Sequence, residues 1–149
     1  DSSTSRGLGD VYKRQIWPPM IEKSAAEGID DIVDITAIRW FPEGFREANP
    51  EKMDAVRAMI RRTSLDGYHG CIQALLSVDF GAELSSIHTP TLFVSGALDA
   101  IGGPADVMQE MAQTVQDGQH ISLPGAGHIC NIANPAAYDD ALLSFFESL

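Results

Sequence analysis

Two stretches decide how this chain is read: Pro90-Thr91-Leu92-Phe93-Val94-Ser95-Gly96-Ala97-Leu98-Asp99 and Gln119-His120-Ile121-Ser122-Leu123-Pro124-Gly125-Ala126-Gly127-His128. Each carries apolar residues for about five positions, then a Gly- or Pro-containing turn that ends on a titratable side chain. The first run is short and has β-branched and aromatic members, so Thr91–Ser95 is a predicted strand buried on both faces, and Gln119–Leu123 is the second predicted strand. Between them, residues 104–116 place Val107, Met108, Met111 and Val115 at helical spacing. Strand, helix, strand implies a parallel pair. In such sheets reacting groups collect at the carboxyl ends of strands, where loops vary while the sheet stays rigid. Asp99 and His128 both sit there.

Working outward, Asn134-Pro135 opens a final helix with Tyr138, Leu142, Phe145 and Leu149 on one stripe. Upstream of Pro90 the chain reads as helical. Residues 20–26 form a short helix after Pro18-Pro19, and residues 29–40 a second. Phe41-Pro42-Glu43-Gly44-Phe45 reads as a turn. Asn49-Pro50-Glu51 starts a helix whose face carries Met53, Val56, Met59 and Ile60. Ser64 caps another, with Tyr68, Ile72, Leu75 and Leu76; residues 80–87 form a linker with one helical turn. Two parallel strands make a poor core alone, because they need cover on both faces and paired edges. The expectation is therefore an α/β fold: residues 89–149 as the last units of a larger doubly wound sheet, and residues 16–88 as a helical cap.

Residues 1–15 are set aside. They are rich in Ser, Gly and Arg without periodicity, and Gly9-Asp10-Val11-Tyr12-Lys13-Arg14-Gln15 resembles translated sequencing-adapter read-through; a disordered natural tail is the alternative. Removing them takes away three cations and two anions, so the remainder is more acidic than the whole.

The whole has 149 residues, 44% hydrophobic and 21% charged, with a formal charge of −11. That balance argues against nucleic acid or an anionic membrane as partner, since either needs clustered Lys and Arg. No apolar run is long enough to span a bilayer. Cys71 and Cys130 are too few for a disulfide framework, which makes a reducing cytoplasm the expected compartment.

Asp99 reads in two ways. It is a polar turn residue before a helix, or a carboxylate that accepts an imidazole N–H, fixes the histidine tautomer and stabilises the imidazolium. His128 follows a loop of small residues that lets a side chain approach a neighbouring site, and its pairing with Asp99 favours a general base. His88 and His120 read as structural or exposed. The pairs His69-Gly70-Cys71 and His128-Ile129-Cys130 have the wrong spacing for zinc, so no metal is expected. Both cysteines read as small hydrophobes, with Cys71 on an apolar helix face. No Gly-x-Ser-x-Gly, Walker A or dinucleotide-type glycine pattern occurs, and Ser95-Gly96 lacks the glycine spacing of a nucleophile elbow.

Four segments carry a family resemblance: Arg39-Trp40-Phe41, Asp66-Gly67-Tyr68-His69-Gly70-Cys71, Pro90 to Asp99, and His128-Ile129-Cys130-Asn131-Ile132. With them, residues 16–149 resemble the C-terminal half of the 3-oxoadipate enol-lactonases of the α/β-hydrolase superfamily. In the last segment Cys130 stands for the family's serine and Ala133 for its acid. The resemblance implies cofactor-free hydrolysis of a small carboxylate-bearing enol-lactone or ester in bacterial aromatic catabolism. Asp99 and His128 would be catalytic and Trp17 and Arg39 would contact substrate, Arg39 through a substrate carboxylate or else as a solvated helix-end residue. Trp40 reads as cap core. The nucleophile would be missing from residues 1–149, leaving this chain inactive. Rival readings are another capped α/β-hydrolase (an esterase, a C–C hydrolase or a haloperoxidase-like enzyme), a non-catalytic binding protein on the same fold, and an independent helical interaction domain.

Overall fold

The computed structural model describes the backbone of residues 4–149 and the side chains of residues 15–149. All but the last residue of the 1–15 leader thus falls outside the described side chains. The chain forms two compact units that interleave in sequence: one holds residues up to Ala37 with Asn49–Asp79, the other Ile38–Ala48 with Phe80–Leu149.

The first unit is helical. It contains α1 (Thr4–Glu27), most of α2 (Asp30–Trp40), α4 (Pro50–Arg61) and α5 (Leu65–Ser77). Helix α1 differs from the sequence reading, which began it at residue 20. It runs through Pro18 and Pro19, whose missing N–H groups remove two donors from the ladder while the turns on either side still close. Pro50 opens α4 as expected, although Asn49 makes no side-chain cap; Ser64 does cap α5, accepting from the Gly67 amide at 3.1 Å. Ile32, Val33, Met53, Val56, Ile60 and Ile72 are buried, each apolar side chain stabilising by about 1.5–3 kcal/mol relative to exposure. Met59 and Leu75, which lie on the apolar faces that the spacing predicts, are exposed: their helices bury a narrower stripe than spacing alone suggests. Helix α1 packs on α5 through a polar staple. Ser24 is fully buried and gives its hydroxyl proton to Ile21 O at 3.0 Å, so His69 Nε2, at 2.8 Å, must donate to it. Across α2 and α4, Asp34 pairs with Arg57 at 2.7 Å and Asp30 with Arg61 at 2.9 Å.

The second unit holds the sheet. Strands β1 (Thr91–Gly96) and β2 (Gly118–Leu123) pair in parallel, from Thr91↔Gly118 to Gly96↔Leu123. Helix α6 (Ala105–Thr114) makes the crossover and packs on both. It approaches β2 closely enough that a Cβ on Gly118 would lie 2.1 Å from Ala112 O. Short α7 (Cys130–Ala133) leads into α8 (Pro135–Glu147), which Asn134 caps by accepting from the Ala137 amide. Leu123, Ala126, Cys130 and Ala141 form a small core, with Val94, Ala133, Ala137 and Tyr138 against it. Two expectations fail here. Residues 91–94 of β1 are half-buried rather than covered on both faces, because among the described residues β1 has a single neighbouring strand and an unpaired edge. Leu149 ends the α8 stripe exposed.

The predicted turn at residues 41–45 is largely helix: α3 (Glu43–Ala48) begins directly after Pro42, whose carbonyl accepts from the Arg46 amide at 3.1 Å. This segment belongs with the sheet unit although its sequence neighbours do not. Among the described residues, no helix is long and apolar enough to cross a membrane.

Candidate active site

The site forms where β1 and β2 end. Parallel pairing continues past the strands, with Ala97 N–H donating to Leu123 O and Leu98 N–H to Ala126 O, both at 2.8 Å. Gly96 makes this possible. A Cβ there would lie 2.1 Å from Gly127 O and 2.5 Å from Ala126 O, so the acid loop and the histidine loop touch backbone to backbone.

Asp99 is 8% exposed, and its carboxylate is saturated. Oδ1 accepts from the amides of Ile101 and Gly102, and Oδ2 from the amide of Gly103 and from His128 Nδ1, all at 2.9 Å. Burial works to raise its pKa. The His128 hydrogen bond and the Gly102 and Ile101 amides outweigh it and bring the group from 3.8 to about 2. A carboxylate that is ionised at neutral pH can only accept, so the Nδ1 of neutral His128 carries the proton and Nε2 carries the lone pair. The imidazole packs against Gly102, where a Cβ would come within 2.0 Å of its Cε1. Its side chain is 38% exposed, enough for Nε2 to meet a reactant. A histidine oriented by a buried anion, with its own side chain partly exposed, is equipped to take a proton from a weak nucleophile.

The structure thus brings together Asp99 and His128. Trp17 is half-buried on α1 in the first unit, and Arg39 is half-buried in the last turn of α2 in the second. Trp40, read as core, is half-buried. His120 bonds to buried Ser95 at 2.9 Å, a cross-strand tie that occupies this hydroxyl, and His88 is exposed beside Gln116. Cys71 is exposed, contrary to its reading as a small hydrophobe on an apolar face, because α5 turns only the stripe around Ile72 inward. Cys130 is buried as expected, and burial pushes its thiol pKa up, which leaves it a poor nucleophile. Among the described residues no His, Cys, Asp and Glu side chains gather into a metal-ligand group. A groove of about 490 Å³ lies between β2 and α8, but neither Asp99 nor His128 lines it.

Sequence reasoning missed the three amide donors and Gly96. Their signal was there in part: a glycine at the strand end and paired glycines after the acid are what a backbone needs to approach an anion closely.

No protein-family model matches the chain. It is 29% identical over 150 residues to 3-oxoadipate enol-lactonase 2 of Acinetobacter baylyi, covering 95% of this chain and 51% of that protein. It is also 29% identical over 147 residues to 3-oxoadipate enol-lactonase 1 of the same organism, covering 99% and 54%. The crystal structure of the enol-lactonase from Burkholderia xenovorans LB400 superposes with a TM-score of 0.84 at 26% identity, covering 89% of this chain and 50% of that one. The chain therefore spans about half the length of the curated relatives it matches, and its architecture is part of the α/β-hydrolase fold.

Proposed function

Taking the α/β-hydrolase fold as premise, we propose that His128 and Asp99 are the general base and the orienting acid of a serine hydrolase whose substrate is a small, carboxylate-bearing enol-lactone. One observation carries this reading: the 2.9 Å contact from His128 Nδ1 to the saturated Asp99 carboxylate, built at the ends of adjacent parallel strands. The likeness to proteins named 3-oxoadipate enol-lactonase supports the substrate class.

On this reading a serine hydroxyl attacks the lactone carbonyl carbon while His128 Nε2 takes its proton. The ring C–O bond then breaks, and the imidazolium returns the proton to the departing enol oxygen. Water attacks the resulting acyl ester by the same relay and frees the carboxylic acid and the serine. Asp99 stays ionised throughout and offsets the charge on the imidazolium. The serine and the oxyanion donors are supplied from outside residues 1–149, so this chain alone is inactive. Arg39 pairs with the substrate carboxylate, where a guanidinium can bind in bidentate fashion, and Trp17 forms part of the pocket wall. The chemistry asks for no cofactor, and a net charge of −11 disfavours nucleic acid or an anionic membrane as partner.

The test is to read the genomic DNA upstream of codon 16, express the complete reading frame, and assay it on an enol-lactone, a p-nitrophenyl ester and a C–C cleavage substrate. We expect the lactone to be turned over best, and His128→Ala to lower kcat by roughly a thousandfold or more. Preference for another substrate would move the assignment to a different capped hydrolase. Tight ligand binding with a replaced serine and no turnover would make the protein a binder.

A further inference from the structure

The Asp99 carboxylate fixes how the His128 ring is turned, but a ring is only as well placed as its Cα. The near side of the histidine loop is tied to the acid loop through the Leu98 amide and Ala126 O. Its far side rests on one carbonyl in a distant part of the sequence. The Ile129 amide donates to Trp40 O at 3.4 Å. On the other flank of the histidine, a Cβ on Gly127 would lie 2.7 Å from that same oxygen and 2.9 Å from Pro42 Cδ. Both neighbours of His128 thus abut the Trp40-Pro42 turn.

The turn is itself anchored. Phe41 is 1% exposed and stacks on Phe45 with ring centroids 5.1 Å apart and planes 17° from parallel. Arg46 reaches back from α3, donating through Nε to Phe41 O at 3.1 Å, while its own amide donates to Pro42 O. The carbonyls following Trp40 are therefore held at two successive residues. This accounts for the grouping of Ile38–Ala48 with the sheet rather than with its sequence neighbours. It also gives Trp40 and Phe41, to which the proposed reaction assigns no step, a task.

We infer that the segment from Trp40 to Arg46 is a positioning element for His128, in which Phe41 and Arg46 hold the Trp40 carbonyl that seats the loop at residues 127 and 129. No hydrogen bond or ring contact joins either residue to the imidazole. They act through the backbone, and their loss lets the loop rise from the turn and lengthens the Nδ1 to Oδ2 contact. The inference rests on His128 being the base, but its readout does not need turnover.

The experiment uses the 149-residue chain labelled with ¹⁵N-histidine. The hydrogen-bonded Nδ1 proton of His128, identified by its disappearance in His128→Gln, is followed by NMR in variants whose folding is checked by circular dichroism. We expect the resonance to persist in Phe41→Leu and to be lost, or to exchange with water at least about tenfold faster, in Phe41→Ala and Arg46→Ala. Ile72→Val, which loosens the other unit, should leave it in place. If Phe41→Ala fails to fold, Arg46→Ala decides, since its half-exposed side chain can be removed without opening a core. An unchanged resonance in folded Arg46→Ala, or an equal loss in Ile72→Val, would overturn the inference. Absence of hydrolase activity in the complete protein would instead count against the function and leave the NMR result standing.

Discussion

The helical unit and the strand-end loops are held by opposite means. In the first, side chains do the joining: exposed ion pairs across α2 and α4, a buried Ser24–His69 staple, and an apolar stripe. In the second, backbones meet directly, at Gly96 against residues 126 and 127, at Gly127 against Trp40, and at three amides that converge on Asp99. Side chains can bend away from a new atom, whereas paired backbones cannot. The site should therefore be intolerant where it carries glycine, and the helices forgiving.

That contrast can be broken most sharply at Gly96. Adding one methyl group there forces two loops apart, and Gly96→Ala should cost about 3 kcal/mol in urea denaturation. Gly70 in α5 has open space around it, so Gly70→Ala should instead stabilise by about 0.5–1 kcal/mol. A similar loss at both positions would erase the distinction.

Asp99→Asn comes next, at about 2–3 kcal/mol near neutral pH, because an amide cannot accept from all four donors. Its pH signature follows from the sign of the shift. The folded carboxyl titrates at about 2, below its ordinary 3.8. Its stabilising contribution is therefore complete above about pH 4 and drains away as pH falls toward 2. Urea melts across that window should slope less steeply for Asp99→Asn than for the parent chain.

In the helical unit, Ser24→Ala leaves the His69 Nε2 donor without its partner and should cost about 1 kcal/mol. Smallest of all is Arg57→Ala. Its pairs with Asp34 and Asp54 face solvent, so the loss should not exceed about 1 kcal/mol and should shrink further in high salt. A larger, salt-insensitive effect would mean that Arg57 joins the helices through packed contacts and not through exposed charge.

The same difference explains how much of the fold is legible in the sequence. Helix starts at Pro50 and Pro135, the Ser64 and Asn134 caps, the two strands and the crossover helix all follow from local chemistry, and each was legible. So were Asp99 and His128, since a titratable residue closing a strand run leaves a local trace. The turn predicted at residues 41–45 gives way to helix because its glycine and proline only look like a break, while burial of Phe41 and the Arg46 bonds draw the segment into α3. The exposure of Met59 and Leu75 was hidden because periodicity gives a stripe its direction but not its width.

By itself the order of residues determined the kinds of element and the two side chains proposed for the chemistry, because those depend on neighbours a few positions away. Only the folded chain decided what holds them: which amides turn toward Asp99, which glycines admit a second backbone, and that the carbonyl of Trp40 lies beneath the loop of His128. Such contacts join backbone atoms far apart in the chain, and a backbone amide or carbonyl is the same in every residue, so no letter in the sequence marks them.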